Sequence, residues 1–440
     1  QFIRRDRVGD DGAAKEYNGY KAYWTDGSQV TAPHDRNIIA EVEKITSIDQ
    51  ILTGANPGNI TLLGEEFDEI YLNKVHTLSL SPESVGKFHD MKIAYTPLHG
   101  AGVRLVPASL RKWGFTNVSL VEEQAVIDGN FPTVESPNPE ERKTMAKAIE
   151  LGSRLGADLV LATDPDSDRI GVALRNAKGE YVLLNGNQTL SLIMAYQLTR
   201  WSELGRLDGK EFVVKTIVTS QMPNVMAAHF GVKCYDCLTG FKYIARIIRN
   251  NEGKATYIGG GEESFGYLAG DFVRDKDAVS ACSLVAEAAA WTRDTMGLTL
   301  YEWLQKLYVE FGFFREGLVS VVRKGMEGAA EIQRMMVDYR ADPPREIAGS
   351  PVVKINDFKL LESTDVRTGA KTPIEEEASN VLQWFAADGT VVSVRPSGTE
   401  PKIKFYFGVR AELESVADFD RVEAGLDAKI ETIKKELKLV

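Results

Sequence analysis

Cysteine is scarce, with three residues in 440, at positions 234, 237 and 282. So small and odd a set excludes a disulfide framework. Cys234-Tyr235-Asp236-Cys237 has C-x-x-C spacing. No second pair accompanies it and no helix start follows it, so two reduced core cysteines are expected rather than a redox or zinc site. A basic excess is missing as well. Lysine and arginine total 52 against 63 aspartates and glutamates, a net charge of −11. Such a chain has no general attraction to nucleic acid or to an anionic membrane, so any anionic ligand must be captured by a local basic cluster. No apolar run approaches the ~20 residues needed to span a bilayer, and no signal-peptide pattern opens the sequence. These absences leave a cytoplasmic protein as the expectation.

What is present is ordinary globular material, 43% hydrophobic and 26% charged. At roughly 100–150 residues per domain, several packed domains are expected. The stretch around which they are organised is Ala162-Thr163-Asp164-Pro165-Asp166-Ser167-Asp168-Arg169. Apolar runs at 157–161 and 170–174 flank it, which reads as strand, acidic loop, strand. Three crowded carboxylates repel one another unless a cation sits between them, and oxygen-only ligands suit a hard ion such as Mg²⁺. Plainer readings are a solvated acidic turn, or aspartates capping turn amides. An EF-hand-like calcium loop fails on two positions. Arg169 stands where that loop needs glycine and Arg175 where it needs a bidentate glutamate.

The sequence around this loop alternates strand and helix. After a hairpin turn at Asp26-Gly27, helical pattern runs near Arg36–Lys44 and on to about His89, broken at Pro57-Gly58. From Met91 the order is strand (Lys92–Thr96), helix from Gly100-Ala101-Gly102 to Trp113, strand (Val118–Val121), helix (Glu141–Leu155) and the acidic loop. From Gly209 the same grammar recurs and ends in Gly259-Gly260-Gly261-Glu262-Glu263-Ser264-Phe265-Gly266. This is a weak internal repeat of two α/β domains, with both loops at the carboxyl ends of strands. A long helical stretch, Ala281–Phe311, precedes a strand-rich part that closes on an amphipathic helix near Asp418–Leu437, which reads as a smaller α+β domain.

Three further motifs carry chemistry. Arg395-Pro396-Ser397-Gly398-Thr399-Glu400-Pro401 could be a plain inter-strand turn. Its guanidinium, two hydroxyls and glycine-freed amides also make an anion nest that suits phosphate. Gly261-Glu262-Glu263-Ser264-Phe265-Gly266 is a charged surface loop or a carbohydrate grip, in which carboxylate and hydroxyl bridge vicinal sugar hydroxyls. Lys242, in Thr239-Gly240-Phe241-Lys242 at a helix start, is a solvated side chain, a phosphate contact or a proton-transfer group. His99 follows a strand end, and a structural hydrogen-bonding role is the preferred reading for it.

A metal loop, a sugar loop and a phosphate loop in that order resemble those of the phosphoglucomutase/phosphomannomutase (α-D-phosphohexomutase) family. The resemblance covers about Lys15 to the C-terminus. It implies consecutive α/β domains with mixed sheets plus a C-terminal α+β domain around a central cleft. Residues 1–90 would be the remnant of a first domain, 91–206 the metal-binding α/β domain, 207–312 the sugar-binding α/β domain and 313–440 the α+β phosphate-binding domain. By this resemblance Asp164, Asp166 and Asp168 would bind Mg²⁺, and Arg169 would lie beside the phosphoryl group. Glu262 and Ser264 would grip the sugar hydroxyls, and Arg395, Ser397, Gly398 and Thr399 would hold the non-reacting phosphate. Lys242 is similar to a family lysine that contacts substrate. Lys21, in Tyr17-Asn18-Gly19-Tyr20-Lys21, is similar to one assigned to proton transfer.

The Glu-Glu-Ser loop resembles the glucose-preferring branch, which implies a phosphoglucomutase passing through a phosphoserine and glucose 1,6-bisphosphate. Phosphomannomutase and phosphopentomutase are the rivals within the class, and a non-catalytic sugar-phosphate-binding protein the rival outside it. The implied partner is a hexose phosphate, with no nucleic acid or membrane, and the implied assembly a monomer or weak homo-oligomer. One departure stands out. The family carries its serine in a Thr-Ala-Ser-His-Asn-Pro motif just before the Tyr-Asn-Gly-Tyr-Lys segment. This sequence has Gly9-Asp10-Asp11-Gly12-Ala13-Ala14 there, and no serine before Ser28. The expectation is that residues 1–14 reflect truncation, unresolved residues or misbuilt density, and that the natural protein carries the serine; a degenerate, inactive homologue is the second reading.

Overall fold

Two β-sheets with the same strand plan carry the acidic and the glycine-rich loops. The computed structural model describes residues 3–6, 19–51, 54, 58, 61, 63–323, 325–397 and 401–439. In the first sheet, strand Ile93–Thr96 is central. Val118–Leu120 pairs parallel on one side and Leu159–Thr163 parallel on the other, and Ile170–Arg175 and Tyr181–Leu183 follow antiparallel. In the second sheet, Glu211–Thr216 is central between Lys233–Cys237 and Thr256–Gly261, and Tyr267–Ala269 follows antiparallel. The internal repeat expected from the sequence is therefore a repeat of topology. Strands Ile93–Thr96, Leu159–Thr163 and Glu211–Thr216 are buried along their whole length, which is why none of them alternates apolar with polar residues.

The chain forms two compact units. One comprises Gln1–Lys215, Ala227–Tyr235 and Gly240–Glu302; the other comprises Thr216–Met226, Asp236–Thr239 and Trp303–Val440. Within the first, the two repeats exchange helices. Helix Gly186–Glu203 leaves the first sheet and packs on strand Thr256–Gly261 of the second. Helix Ala278–Met296 leaves the second and packs on Leu159–Thr163 and Ile170–Arg175 of the first. Both helices start with strong caps. The Asn185 side chain accepts from the Gln188 amide in a capping box, and Asp277 accepts from Val279 and Ser280.

Two differences from the sequence reading have physical causes. The sequence reading places no element between Arg175 and Gly209, yet strand Tyr181–Leu183 and the 18-residue helix Gly186–Glu203 lie there. Nearly every residue of that helix from Gly186 to Leu198 is buried, so it lacks the one-sided apolar stripe that marks a helix in sequence. The stretch expected to be helical from Ala281 to Phe311 is two helices, Ala278–Met296 and Leu300–Phe311. Gly297, in the left-handed region at φ +66°, caps the first and breaks the run.

The second unit is α+β, as expected. Its sheet runs in the order Phe313–Val322, Lys402–Ala411, Val391–Pro396, Leu382–Ala386, Ser350–Asp357, Glu362–Asp365, Lys371–Pro373. Every pairing is antiparallel. Ile403, Phe405 and Phe407 alternate inward and are at most 1% exposed. Helices Gly325–Ala341 and Phe419–Glu436 both pack on the Lys402–Ala411 strand.

Candidate functional site

The acidic loop links strands Leu159–Thr163 and Ile170–Arg175, as the sequence predicts. One ligand oxygen from each of Asp164, Asp166 and Asp168 lies within 4.8 Å of the others. Asp164 and Asp168 are buried, and Asp166 is the more open. The Asp164 carboxylate accepts the Asp168 and Arg169 amides at 2.9 and 3.0 Å, which folds the loop around it. Ser167 sits at φ +59°, unusual for a residue with a side chain. Gly100 and Gly102 cradle the loop from the neighbouring helix start. A Cβ on Gly100 would collide with Pro165, and the Ala101 amide donates to the Pro165 carbonyl at 2.8 Å. Burial, then the neighbouring Asp168 and Asp166, push the Asp164 carboxyl well above the usual range. This donor set, all oxygen, converging and mutually repelling, fits a hard divalent cation.

Arg169 leans over these carboxylates. Its Nε is 3.9 Å from Asp164 Oδ2 and 3.8 Å from Asp168 Oδ1, and its Nη1 is 4.0 Å from Glu140. Its backbone forms an antiparallel bridge with Gly266, and the Ile170 amide donates to the Phe265 carbonyl at 3.1 Å. The two corresponding loops of the repeat thus touch directly. Glu262 is 6% exposed, and burial pushes its carboxyl up to about 7 against the pull of Lys276. The carboxylate accepts the Gly240 amide at 2.8 Å, which ties the Thr239–Lys242 turn to the glycine-rich loop. Ser264 is half-buried in the same loop.

The candidate lysines reach this region from separate elements. Lys21 lies on strand Gly19–Ala22, where its charge bears on Asp275. Tyr23, two residues on, donates to Asp275 at 2.7 Å. Lys242 Nζ is 3.6 Å from Asp35, on helix His34–Val42. Sequence reasoning missed Lys276. Its Nζ is 3.0 Å from Asp168 Oδ2 and 3.2 Å from Asp275 Oδ1, and these carboxylates hold it protonated. The signal was there to find, in the alternating charges Arg274-Asp275-Lys276-Asp277.

In the second unit, Arg395 is half-buried on strand Val391–Pro396, and the Ser397 amide donates to the Lys402 carbonyl at 2.8 Å, opening the expected loop. Gly398 and Thr399 lie outside the described residues, as do the anomalous residues 1–2 and 7–14. His99 is structural, held by the Val126 carbonyl at 2.9 Å and the Thr133 hydroxyl at 2.8 Å. Cys234, Cys237 and Cys282 are all thiols. Cys237 is a core residue, but Cys234 is only half-buried, because two strand positions three apart point to opposite faces.

Residues 69–179, 185–311 and 353–426 match, in that order, the phosphoglucomutase/phosphomannomutase α/β/α domain II, α/β/α domain III and C-terminal domain. A phosphoglucomutase from Staphylococcus aureus strain MRSA252 is 33% identical over 420 residues, covering 94% of this chain and 73% of that protein. The strain N315 enzyme is 34% identical over the same span. Among solved structures, a phosphoglucomutase/phosphomannomutase family protein from Burkholderia thailandensis superposes with a TM-score of 0.63 at 16% identity, covering 97% of this chain and 76% of that one. Parafusin, a phosphoglucomutase from Paramecium, in its open form gives 0.61 at 15%, covering 96% and 77%.

Proposed function

The chain belongs to the phosphoglucomutase/phosphomannomutase family of isomerases, and on that premise we propose that it serves the Mg²⁺-dependent interconversion of glucose 1-phosphate and glucose 6-phosphate. One observation carries the proposal. The carboxylate trio and Glu262 sit on adjoining loops joined through the Ile170 to Phe265 hydrogen bond. An aspartate cluster suited to a phosphate-bound cation beside a buried glutamate suited to sugar hydroxyls supports a phosphorylated sugar as substrate.

Asp164, Asp166 and Asp168 would hold the Mg²⁺. When bound, the ion would neutralise charge on the transferring phosphoryl group. Arg169, already facing these carboxylates, would contribute a fixed positive charge beside the same group at no cost of reorganisation. Glu262, anchored by the Gly240 amide, and Ser264 would accept and donate to the sugar hydroxyls. Lys242 would contact substrate and Lys21 would move a proton. Arg395, Ser397, Gly398 and Thr399 would hold the phosphate that does not react, so that either end of the sugar binds alike. The phosphoryl group would shuttle through a phosphoserine, which this sequence does not show at the family's position before Tyr17, with glucose 1,6-bisphosphate as intermediate and activator. We place the reaction in the cytoplasm, with a hexose phosphate as partner and the protein a monomer or weak homo-oligomer; among the described residues no helix is long and apolar enough to cross a membrane.

A coupled assay with glucose 1-phosphate, mannose 1-phosphate and ribose 1-phosphate tests the reading, run with and without Mg²⁺ and glucose 1,6-bisphosphate. Preferred turnover of the glucose ester supports it. Equal or faster turnover of mannose or pentose overturns the glucose assignment. Calorimetric binding of the bisphosphate without turnover identifies a binding protein instead.

A further inference from the structure

The Lys276 ammonium occupies an unexpected position. It bridges Asp168, at 3.0 Å, and Asp275, at 3.2 Å. Asp168 is one of the three converging carboxylates, so this cation already compensates a charge that a divalent ion would compensate. The site is built for the ammonium. The lysine side chain is 10% exposed, and those of Asp168 and Asp275 are 5% and 12% exposed. Its aliphatic stem runs through the space left by Gly266, where a Cβ would collide with it. The Phe241 ring lies 5.5 Å from the ammonium. Asp275 has its own anchors, the Tyr23 hydroxyl at 2.7 Å and the Lys276 backbone amide at 2.8 Å, so it stays in place whichever way the ammonium turns.

We propose that Lys276 is a placeholder cation: it neutralises Asp168 when no divalent ion is bound and is handed to Asp275 when one binds. A divalent ion among the three carboxylates and the ammonium on Asp168 Oδ2 repel each other and compete for the same negative charge. The Arg169 guanidinium, 3.8 Å from Asp168, offsets part of the charge of the three crowded carboxylates, and a second cation, ammonium or divalent ion, offsets more of it. Asp275 is the second berth, a carboxylate outside the trio and close enough that only the end of the lysine side chain has to turn. The Glu262 carboxylate already feels the charge of this ammonium. Lys276 on this view is a positioning residue for the metal loop, and Asp275 sets how readily it lets go.

This inference rests on the proposed metal site, and calorimetry of Mg²⁺ and Mn²⁺ binding to the full chain separates the two. The wild-type protein, Lys276→Met and Asp275→Asn are titrated with each metal chloride, and melting temperature is followed against metal concentration. Removing the competing ammonium in K276M should tighten metal binding by about tenfold or more, the equivalent of a single modest buried ion-pair term. The metal-free melting temperature should fall, and saturating Mg²⁺ should restore it. D275N should act in the opposite direction. With its second berth gone, Lys276 holds Asp168 harder, and metal binding should weaken several-fold. The opposed signs keep the test decisive even if K276M can be handled only with metal present. Equal affinities in all three proteins, or tighter binding in D275N, overturn the placeholder role while leaving the metal site standing. No saturable binding to any of them overturns both.

Discussion

Glu262→Gln tests the electrostatics of the glycine-rich loop most directly. The carboxyl is buried and pushed from its ordinary 4.5 up to about 7, chiefly because burial penalises its charge. In the unfolded chain it ionises near 4.5. Between those two values the folded protein binds the extra proton, so stability falls as pH rises through that window and levels off above it. At about 1.4 kcal/mol per pH unit, the climb from 4.5 to about 7 corresponds to about 3 kcal/mol. Glutamine keeps the shape and still accepts the Gly240 amide, but has no proton to lose. Urea unfolding of both proteins, followed by tryptophan fluorescence at steps from pH 4 to pH 9, isolates the contribution of this group, since every other titration cancels in the difference. The two should coincide near pH 4, and the variant should become the more stable by up to about 3 kcal/mol above pH 7. The same variant should lose most of its kcat/KM, since a neutral amide grips sugar hydroxyls less strongly than a carboxylate. Parallel stability curves across the range would refute the argument.

Other outcomes follow from the same geometry. Asp166→Asn should cut turnover by orders of magnitude with little change in melting temperature, because this is the most open of the three carboxylates; unchanged turnover removes the metal assignment. Arg395→Ala should raise KM for the sugar phosphate more than it lowers kcat, and an unaltered KM counts against the anion nest. Gly100→Ala should destabilise the protein by about 1–3 kcal/mol and weaken metal binding, because the new methyl meets Pro165 of the acidic loop; thermal melting and metal titration measure both. Tyr23→Phe should leave the fold intact but loosen Asp275, lowering its grip on Lys276, which a shift in Mg²⁺ affinity would report.

Much of this was legible in the sequence because it is local. A strand that ends in three alternating aspartates declares its chemistry within eight residues, and the apolar runs on either side of them declare buried strands. The repeated order of strands and helices was legible for the same reason. Helix Gly186–Glu203 was not, because burial on nearly all sides erases the periodicity by which a helix is read. The break at Gly297 was visible only as a glycine whose left-handed conformation the fold chose.

The amino-acid sequence by itself determined the kinds of groups present, their spacing along each loop, and the α/β grammar that puts such loops at strand ends. Those properties depend on neighbours in the chain. Only the tertiary structure decided which loops meet. The reciprocal packing of the two long helices draws the acidic and glycine-rich loops into backbone contact, gives Glu262 the burial that raises its carboxyl, and brings Lys276 to Asp168. The Tyr23 to Asp275 hydrogen bond spans 252 residues of chain. Contacts of that separation arise from the packing of whole elements, and no local pattern encodes them.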